Sequence, residues 1–353
     1  MAEEGARGTR RRFLRAVGVT AAAGLAGCAG NEGGAEGATP TRSATGTTGG
    51  DGGSSTTVAI LSAGSLQYAL ETGLKPAVDV PVRIESHGSA TVARMVAEGQ
   101  RDPDIVTVAD TALFEGPITP SWYSVFASNA MVLVYNPDTD AGQRIAAASP
   151  DEWYEPLAGS DVSVGRTDPD LDPLGYRTLF TLELASRYYD GASNLRERLL
   201  ERDQIYPETS LLSQFEVGAI DAAFAYRSMA VERGYDYVEL PDRIDLSNPV
   251  HESEWYETVS YTLPSGQEVR GGFISYGSTI RALSDAALAV FDVHTTGDYL
   301  AESGFVQRDR FPTYEGSPPS QARNAVEAST ATQASPGADR LLTSGVSELT
   351  VLI

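Results

Sequence analysis

Two short turns hold the residues best suited to chemistry. Ser62-Ala63-Gly64-Ser65 and Ser86-His87-Gly88-Ser89-Ala90 are built from small residues, and each follows a strand-like run and precedes a helical pattern. A backbone free of bulky side chains lets a ligand come close to its N–H groups. The start of a helix presents unpaired N–H groups and a partial positive charge. Together these features bind anions. Gly64, Gly88 and Ala90 would offer backbone donors, and Ser65 and Ser89 would add hydroxyl donors without adding charge. The two serines also suit helix N-caps, a role that uses the same helix end.

Other constellations point to less. Ser65, His87 and an aspartate could be drawn as a hydrolase triad, yet the chain has no Gly-x-Ser-x-Gly elbow, and the serine and histidine sit in different turns. An exported hydrolase is therefore the weaker reading, and no enzyme activity is expected. His87, His251 and His294 are scattered, which disfavours a three-histidine metal centre. His87 is read as a lid or packing residue. The acidic loop Asp168 to Asp172 lacks the glycine and terminal glutamate of an EF-hand. Cys28 is the only cysteine, so there is neither a disulfide framework nor a thiolate metal site. No cofactor is expected.

The elements that must position the turns alternate. Val58 to Leu61 reads as a buried strand, Leu66 to Lys75 as a helix, Val82 to Glu85 as a strand, Thr91 to Glu98 as a helix and Asp104 to Ala109 as a third strand. A β-α-β-α-β run implies a parallel sheet, and open α/β sheets bind ligands at the carboxyl ends of their strands, where both turns fall. Val125 to Tyr135 reads as one long strand. A second α/β unit follows: strand Val162 to Gly165, a Pro/Asp-rich loop Arg166 to Pro173, helix Leu174 to Tyr188, helix Leu211 to Val217, strand Ala222 to Tyr226 and helix Arg227 to Arg233. Glu268 to Ile280 reads as a strand and Asp285 to Val293 as a helix, and Pro, Ser, Ala and Thr dominate from Ser317 on, predicting a loosely packed tail. Two α/β lobes joined by long strands are the simplest architecture for this order: lobe 1 over 57–134 and 272–320, lobe 2 over 135–271, and a tail over 321–353.

Charge narrows the partners. Of 353 residues, 48 are Asp or Glu and 26 are Lys or Arg, a net charge of −22, and Lys75 is the only lysine. Such an excess of carboxylates repels nucleic acid and anionic lipid. It suits solubility in very high salt, which points to a haloarchaeal source. The chain opens on an address label. Thr9 to Arg15 (TRRRFLR) is close to a twin-arginine consensus, an apolar stretch from Ala16 to Ala26 follows, and Leu25-Ala26-Gly27-Cys28 matches a lipobox. The expectation is a signal peptide over 1–27, lipidation of Cys28, and a flexible tether over 28–56 whose Gly, Ser, Thr and Ala cannot bury enough surface to order themselves. The protein would then sit lipid-anchored on the outer face of the cell membrane.

The ordered set Ser62-Ala63-Gly64-Ser65-Leu66, Gly88-Ser89-Ala90, Asp172-Pro173-Leu174-Gly175-Tyr176-Arg177, Ala225-Tyr226-Arg227-Ser228-Met229-Ala230 and Val238-Glu239-Leu240-Pro241 resembles the archaeal tungstate/molybdate-binding proteins of ABC importers. The resemblance runs over roughly residues 57–320. It implies a two-lobed α/β fold of the periplasmic-binding-protein kind (type II), hinged between its lobes, monomeric, with an ABC permease and ATPase as partners. It further implies that Ser65, Ser89 and Tyr226 donate hydrogen bonds to the oxyanion, and that Asp172 and Glu208 bind its tungsten or molybdenum atom. Asp172 equally reads as an N-cap before Pro173, and Glu208 as a helix-dipole partner. The runner-up ligands are sulfate, thiosulfate and phosphate.

Overall fold

The computed structural model describes residues 56–200 and 204–323. The expectations for the signal peptide, for Cys28, for nearly all of the tether and for residues 324–353 lie outside the described residues.

Thirteen strands are described: β1 Val58–Ala63, β2 Val82–His87, β3 Ile105–Val108, β4 Trp122–Ser128, β5 Met131–Tyr135, β6 Val164–Arg166, β7 Gln204–Ile205, β8 Ala222–Tyr226, β9 Tyr237–Glu239, β10 Ser260–Thr262, β11 Glu268–Arg270, β12 Ser275–Ile280 and β13 Thr313–Gly316. Six of them form one sheet in the order β13-β4-β12-β3-β1-β2, and five form a second in the order β7-β6-β8-β5-β9. Each sheet with its helices makes a lobe. In the first, β1 lies between β2 and β3, parallel to both. Its run Val58, Ile60, Leu61 is almost fully buried, as a strand covered on both faces must be. In the second, β6 runs parallel to β7 and β8, while β5 is antiparallel to β8 and β9.

The predicted strand Val125 to Tyr135 is in fact two. It breaks at Asn129-Ala130, where the chain passes from the first sheet to the second, so the crossing lies before β5 rather than after residue 134. The apolar run hid this because both halves are buried. Asn129 makes the break: its side-chain oxygen accepts from the Ala130 and Ser228 N–H groups, as a ladder residue's side chain would not. Glu268 to Ile280 also splits, at Gly271-Gly272. There β11 pairs with β10 in a separate hairpin, while β12 returns to the first sheet between β3 and β4.

The predicted helix Leu211 to Val217 is absent as such. A single 3₁₀ turn, Leu212–Gln214, stands there, with another, Glu208–Ser210, just before it, and Gly218 at φ 68° ends the segment. Seven residues are too few to sustain an α-helix without help; burial of Leu211, Leu212 and Phe215 supplied the misleading pattern. The predicted helix Leu66 to Lys75 is helical but irregular, with a wide π-type turn over Leu70–Leu74. The tail predicted from Ser317 begins packed, with Ala322 buried and its carbonyl accepting from the Tyr314 hydroxyl.

Candidate functional site

The two turns stand where the sequence puts them, at the carboxyl ends of β1 and β2. Gly64–Leu66 is a 3₁₀ turn, and Ser89 is the first residue of the helix Ser89–Ala97, whose N-cap is Gly88. Neither serine caps its helix through its side chain. Both are buried and engaged elsewhere. The Ser89 hydroxyl oxygen accepts from the Ala109 N–H at 2.9 Å, and the Ser65 hydroxyl oxygen accepts from the Tyr276 hydroxyl at 3.0 Å.

Two carboxylates from the second lobe meet these turns. Asp172 is the N-cap of the helix Pro173–Tyr188, and its Oδ1 accepts from the Gly175 N–H at 3.0 Å and from the Thr167 hydroxyl at 2.7 Å. Asp172 lies against Gly88: a Cβ on that glycine would come within 2.5 Å of the Leu171 carbonyl oxygen and 2.6 Å of the Asp172 Cβ. Glu208 lies against the first turn in the same way, 2.6 Å from where a Cβ on Gly64 would sit. Glycine at both positions is what allows the lobes to meet. Gly88→Ala is expected to hold them apart, at a cost of about 1–3 kcal/mol for the overpacked closed form. Small-angle scattering would read this as a larger radius of gyration; an unchanged radius would show that the contact is not limiting.

Both carboxylates are nearly inaccessible, with Asp172 2% and Glu208 3% exposed. Burial raises the Asp172 carboxyl to about 7, against its hydrogen bonds from Thr167, Gly175 and Leu174 and with help from the charge of Asp168. Burial, and then the charge of Asp172, push Glu208 well above the usual carboxylate range. The Ser65 hydroxyl and the amides of Ser65 and Gly64 face Glu208 and favour its ionised form. Neither Glu208 oxygen, however, completes a hydrogen bond of good geometry. Buried carboxyl oxygens without partners are costly, so Glu208 has an unmet need for a hydrogen-bonding or positively charged partner.

Tyr226 ends β8, is fully buried, and its hydroxyl oxygen accepts from Arg177 Nη1 at 2.8 Å. Burial raises its phenol well above the usual value, and Arg177 works against that rise. Each of the three hydroxyls named from the sequence therefore receives a hydrogen bond from behind, leaving its own proton to be donated. Ala90, in the second turn, is buried at the start of its helix. Asp168, Asp172 and Glu208 line a cavity of about 320 Å³ together with Ser86, His87 and Gly88. A larger cavity of about 490 Å³, beside the crossing segment and lined by Arg227, Asp245 and Arg308, contains none of these residues. The first is the candidate site, because both buried carboxylates and the second turn line it; Ser65, Ser89 and Tyr226 are not among its lining residues.

His87 ends β2, lines this cavity and pairs with Glu85 at 2.9 Å. His294 is a buried core residue held between Thr107 and Tyr299, and burial lowers it to about 3. The sequence reading missed the residues behind the hydroxyls. Arg177 was only part of a motif, and Asp110, Asn129 and Tyr276 carried no signal. Asn129 donates to the Tyr276 hydroxyl at 3.3 Å and to Ser228 at 2.8 Å, and Tyr276 in turn donates to Ser65.

Comparison with known proteins bears on this site. The model of the bacterial extracellular solute-binding protein family matches residues 54–268. A Haloferax volcanii protein described as an ABC transporter molybdenum-binding protein is 52% identical over 90% of this chain and 97% of its own. The molybdate/tungstate-binding protein WtpA of Thermococcus kodakarensis is 30% identical over 70% of this chain and 79% of its own. Among solved structures, the sulfate-binding protein SubI of Mycobacterium tuberculosis superposes with a TM-score of 0.50 at 16% identity, covering 77% of this chain and 91% of that one, which speaks to the fold alone. These are solute-binding proteins and not enzymes. With its two hinged α/β lobes of the periplasmic-binding-protein type, the chain belongs to the bacterial extracellular solute-binding protein family.

Proposed function

We propose that this solute-binding protein captures molybdate or tungstate for an ABC importer, with Asp172 and Glu208 binding the metal atom of the oxyanion and Ser65, Ser89 and Tyr226 donating to its oxo groups. The observation that carries the reading is the pair of buried carboxylates, of which Glu208 has neither oxygen hydrogen-bonded and lies beside the Ser65 hydroxyl and the Ser65 and Gly64 amides. Two ionised carboxylates suit sulfate poorly, because its central atom takes no further oxygen ligands and the anion has no proton to donate to them. Molybdenum(VI) and tungsten(VI) are Lewis acids that expand from four to six oxygen ligands, so the same carboxylates attract one class and reject the other. The names of the Haloferax and Thermococcus relatives agree with this choice. The reading extends to a protein exported by the twin-arginine route, anchored through a lipid on Cys28 to the outer face of a haloarchaeal membrane, and handing its cargo to a permease and ATPase without any cofactor of its own.

The test is thermal unfolding in multimolar KCl with molybdate, tungstate, sulfate, thiosulfate and phosphate added separately. An anion at a hundredfold excess over its dissociation constant stabilises by about 2.7 kcal/mol. A shift with molybdate and tungstate alone is expected, and a shift with sulfate or phosphate instead would overturn the metal-binding role of the carboxylates. Tyr226→Phe is expected to weaken binding about tenfold to a hundredfold, the worth of one hydrogen bond to a charged group; titration calorimetry would read it, and unchanged affinity would remove Tyr226 from the donor set.

A further inference from the structure

Arg177 is buried and sits on the first turns of the helix that Asp172 caps. Its guanidinium reaches across the lobes. Nη1 donates to the Ala109 carbonyl at 2.7 Å and to the Tyr226 hydroxyl at 2.8 Å, and Nη2 pairs with Asp110 Oδ2 at 3.1 Å. Tyr176, its neighbour, donates to the same Asp110 oxygen at 2.6 Å. Ala109 and Asp110 follow β3 in the first lobe, whereas Tyr176, Arg177 and Tyr226 belong to the second. Burial alone would lower the guanidinium's basicity, but Tyr226, Asp110 and Tyr176 more than offset it, so the group stays charged.

We propose that Arg177 is a positioning residue that makes closure of the lobes the condition for aiming Tyr226 at the ligand; this rests on the oxyanion reading above. A phenol hydroxyl can accept or donate. With Arg177 donating to its oxygen, the Tyr226 proton must point away from the guanidinium. The Ala109 carbonyl and Asp110 hold Arg177 in that pose, and they do so only while the lobes are together. When the lobes part, the guanidinium loses both partners and Tyr226 loses its fixed direction. The planar fork is essential: an ammonium is a single point charge that cannot address a carbonyl, a carboxylate and a phenol in one fixed plane.

Four proteins test this: wild type, Arg177→Lys, Tyr226→Phe and the double variant, titrated with molybdate and tungstate. Arg177→Lys is expected to weaken binding about tenfold to a hundredfold in wild type, and less than about threefold once Tyr226 is phenylalanine. A merely structural role would give the same loss in both backgrounds and would overturn the proposal. Spin labels at Glu98 and Val217, exposed residues on opposite lobes, measure the lobe separation without ligand. Arg177→Lys and Asp110→Asn, the second of which keeps the N-cap of the following turn, are expected to lengthen that distance. If no oxyanion binds wild type, the ligand reading fails, and an unchanged distance in both variants then overturns the latch separately.

Discussion

Glu208→Gln is expected to abolish the response to molybdate and tungstate while making the ligand-free protein more stable at alkaline pH. Glutamine keeps the shape of the side chain but cannot carry the charge that the burial of Glu208 penalises. It also cannot serve as an anionic oxygen ligand to the metal atom. An unsatisfied buried polar group costs about 1–3 kcal/mol, and a charged one more. Relief of the charged form's share of that cost should raise the melting midpoint by several degrees at alkaline pH, where the wild-type carboxylate is driven towards ionisation. Melting curves with and without molybdate check both halves. A variant that melts earlier at every pH and still responds to molybdate would reduce Glu208 to a partner of the helix dipole. Opposite signs for stability and binding mark a residue kept for its ligand, and a residue kept for packing would lose both.

The second large effect is in the pH dependence of the ligand-free protein, which should lose stability as pH rises. In the unfolded chain Asp172 and Glu208 ionise in the ordinary carboxylate range, near 4. In the folded chain Asp172 holds its proton up to about 7, and Glu208 is likewise raised well above the ordinary carboxylate range. Between those limits the native state binds more protons than the unfolded state, so stability is full below about pH 4 and is lost as pH climbs through the folded values, at up to about 1.4 kcal/mol per unit for each group. Glu232, raised to about 8, and Asp245, raised to about 6, slope the same way. The informative quantity is therefore the difference between wild type and Asp172→Asn, which keeps the helix cap and removes one titration. Chemical denaturation from pH 4 to 9 should give a flatter profile for the variant; parallel profiles would mean that Asp172 is not protonated in the native site.

Much of this site is legible because small residues at a strand end leave few interpretations. Ser62 to Ser65 and Ser86 to Ala90 each mark a βα turn, and both stand at the carboxyl ends of adjacent parallel strands. Tyr226 is legible as the end of the apolar run Ala222 to Ala225. Glu208 is not: it opens a 3₁₀ turn just ahead of the predicted helix Leu211 to Val217, in a stretch with no pattern of its own, and only the family resemblance points to it. The residues that direct the donors escape for a different reason. Arg177 acts on Ala109 and Tyr176 on Asp110, 68 and 66 positions away, and Tyr276 acts on Ser65 across 211 positions. Such pairs exist only once both lobes are assembled, and no local pattern records them. Asn129 escapes because a polar residue inside an apolar strand run looks like a flaw in the pattern, when it is the point at which the chain changes sheets.

Asn129 also gives the crossing segment a second role. Through Tyr276 its amide governs where the Ser65 proton points, and through Ser228 it is fastened to the start of a helix in the other lobe. A turn of the crossing segment that parts the lobes must therefore pull on the donor as well as on the walls. On the proposed oxyanion reading, release would then begin as a change of grip, with the hydrogen bonds to the cargo steered away from it as the lobes start to part.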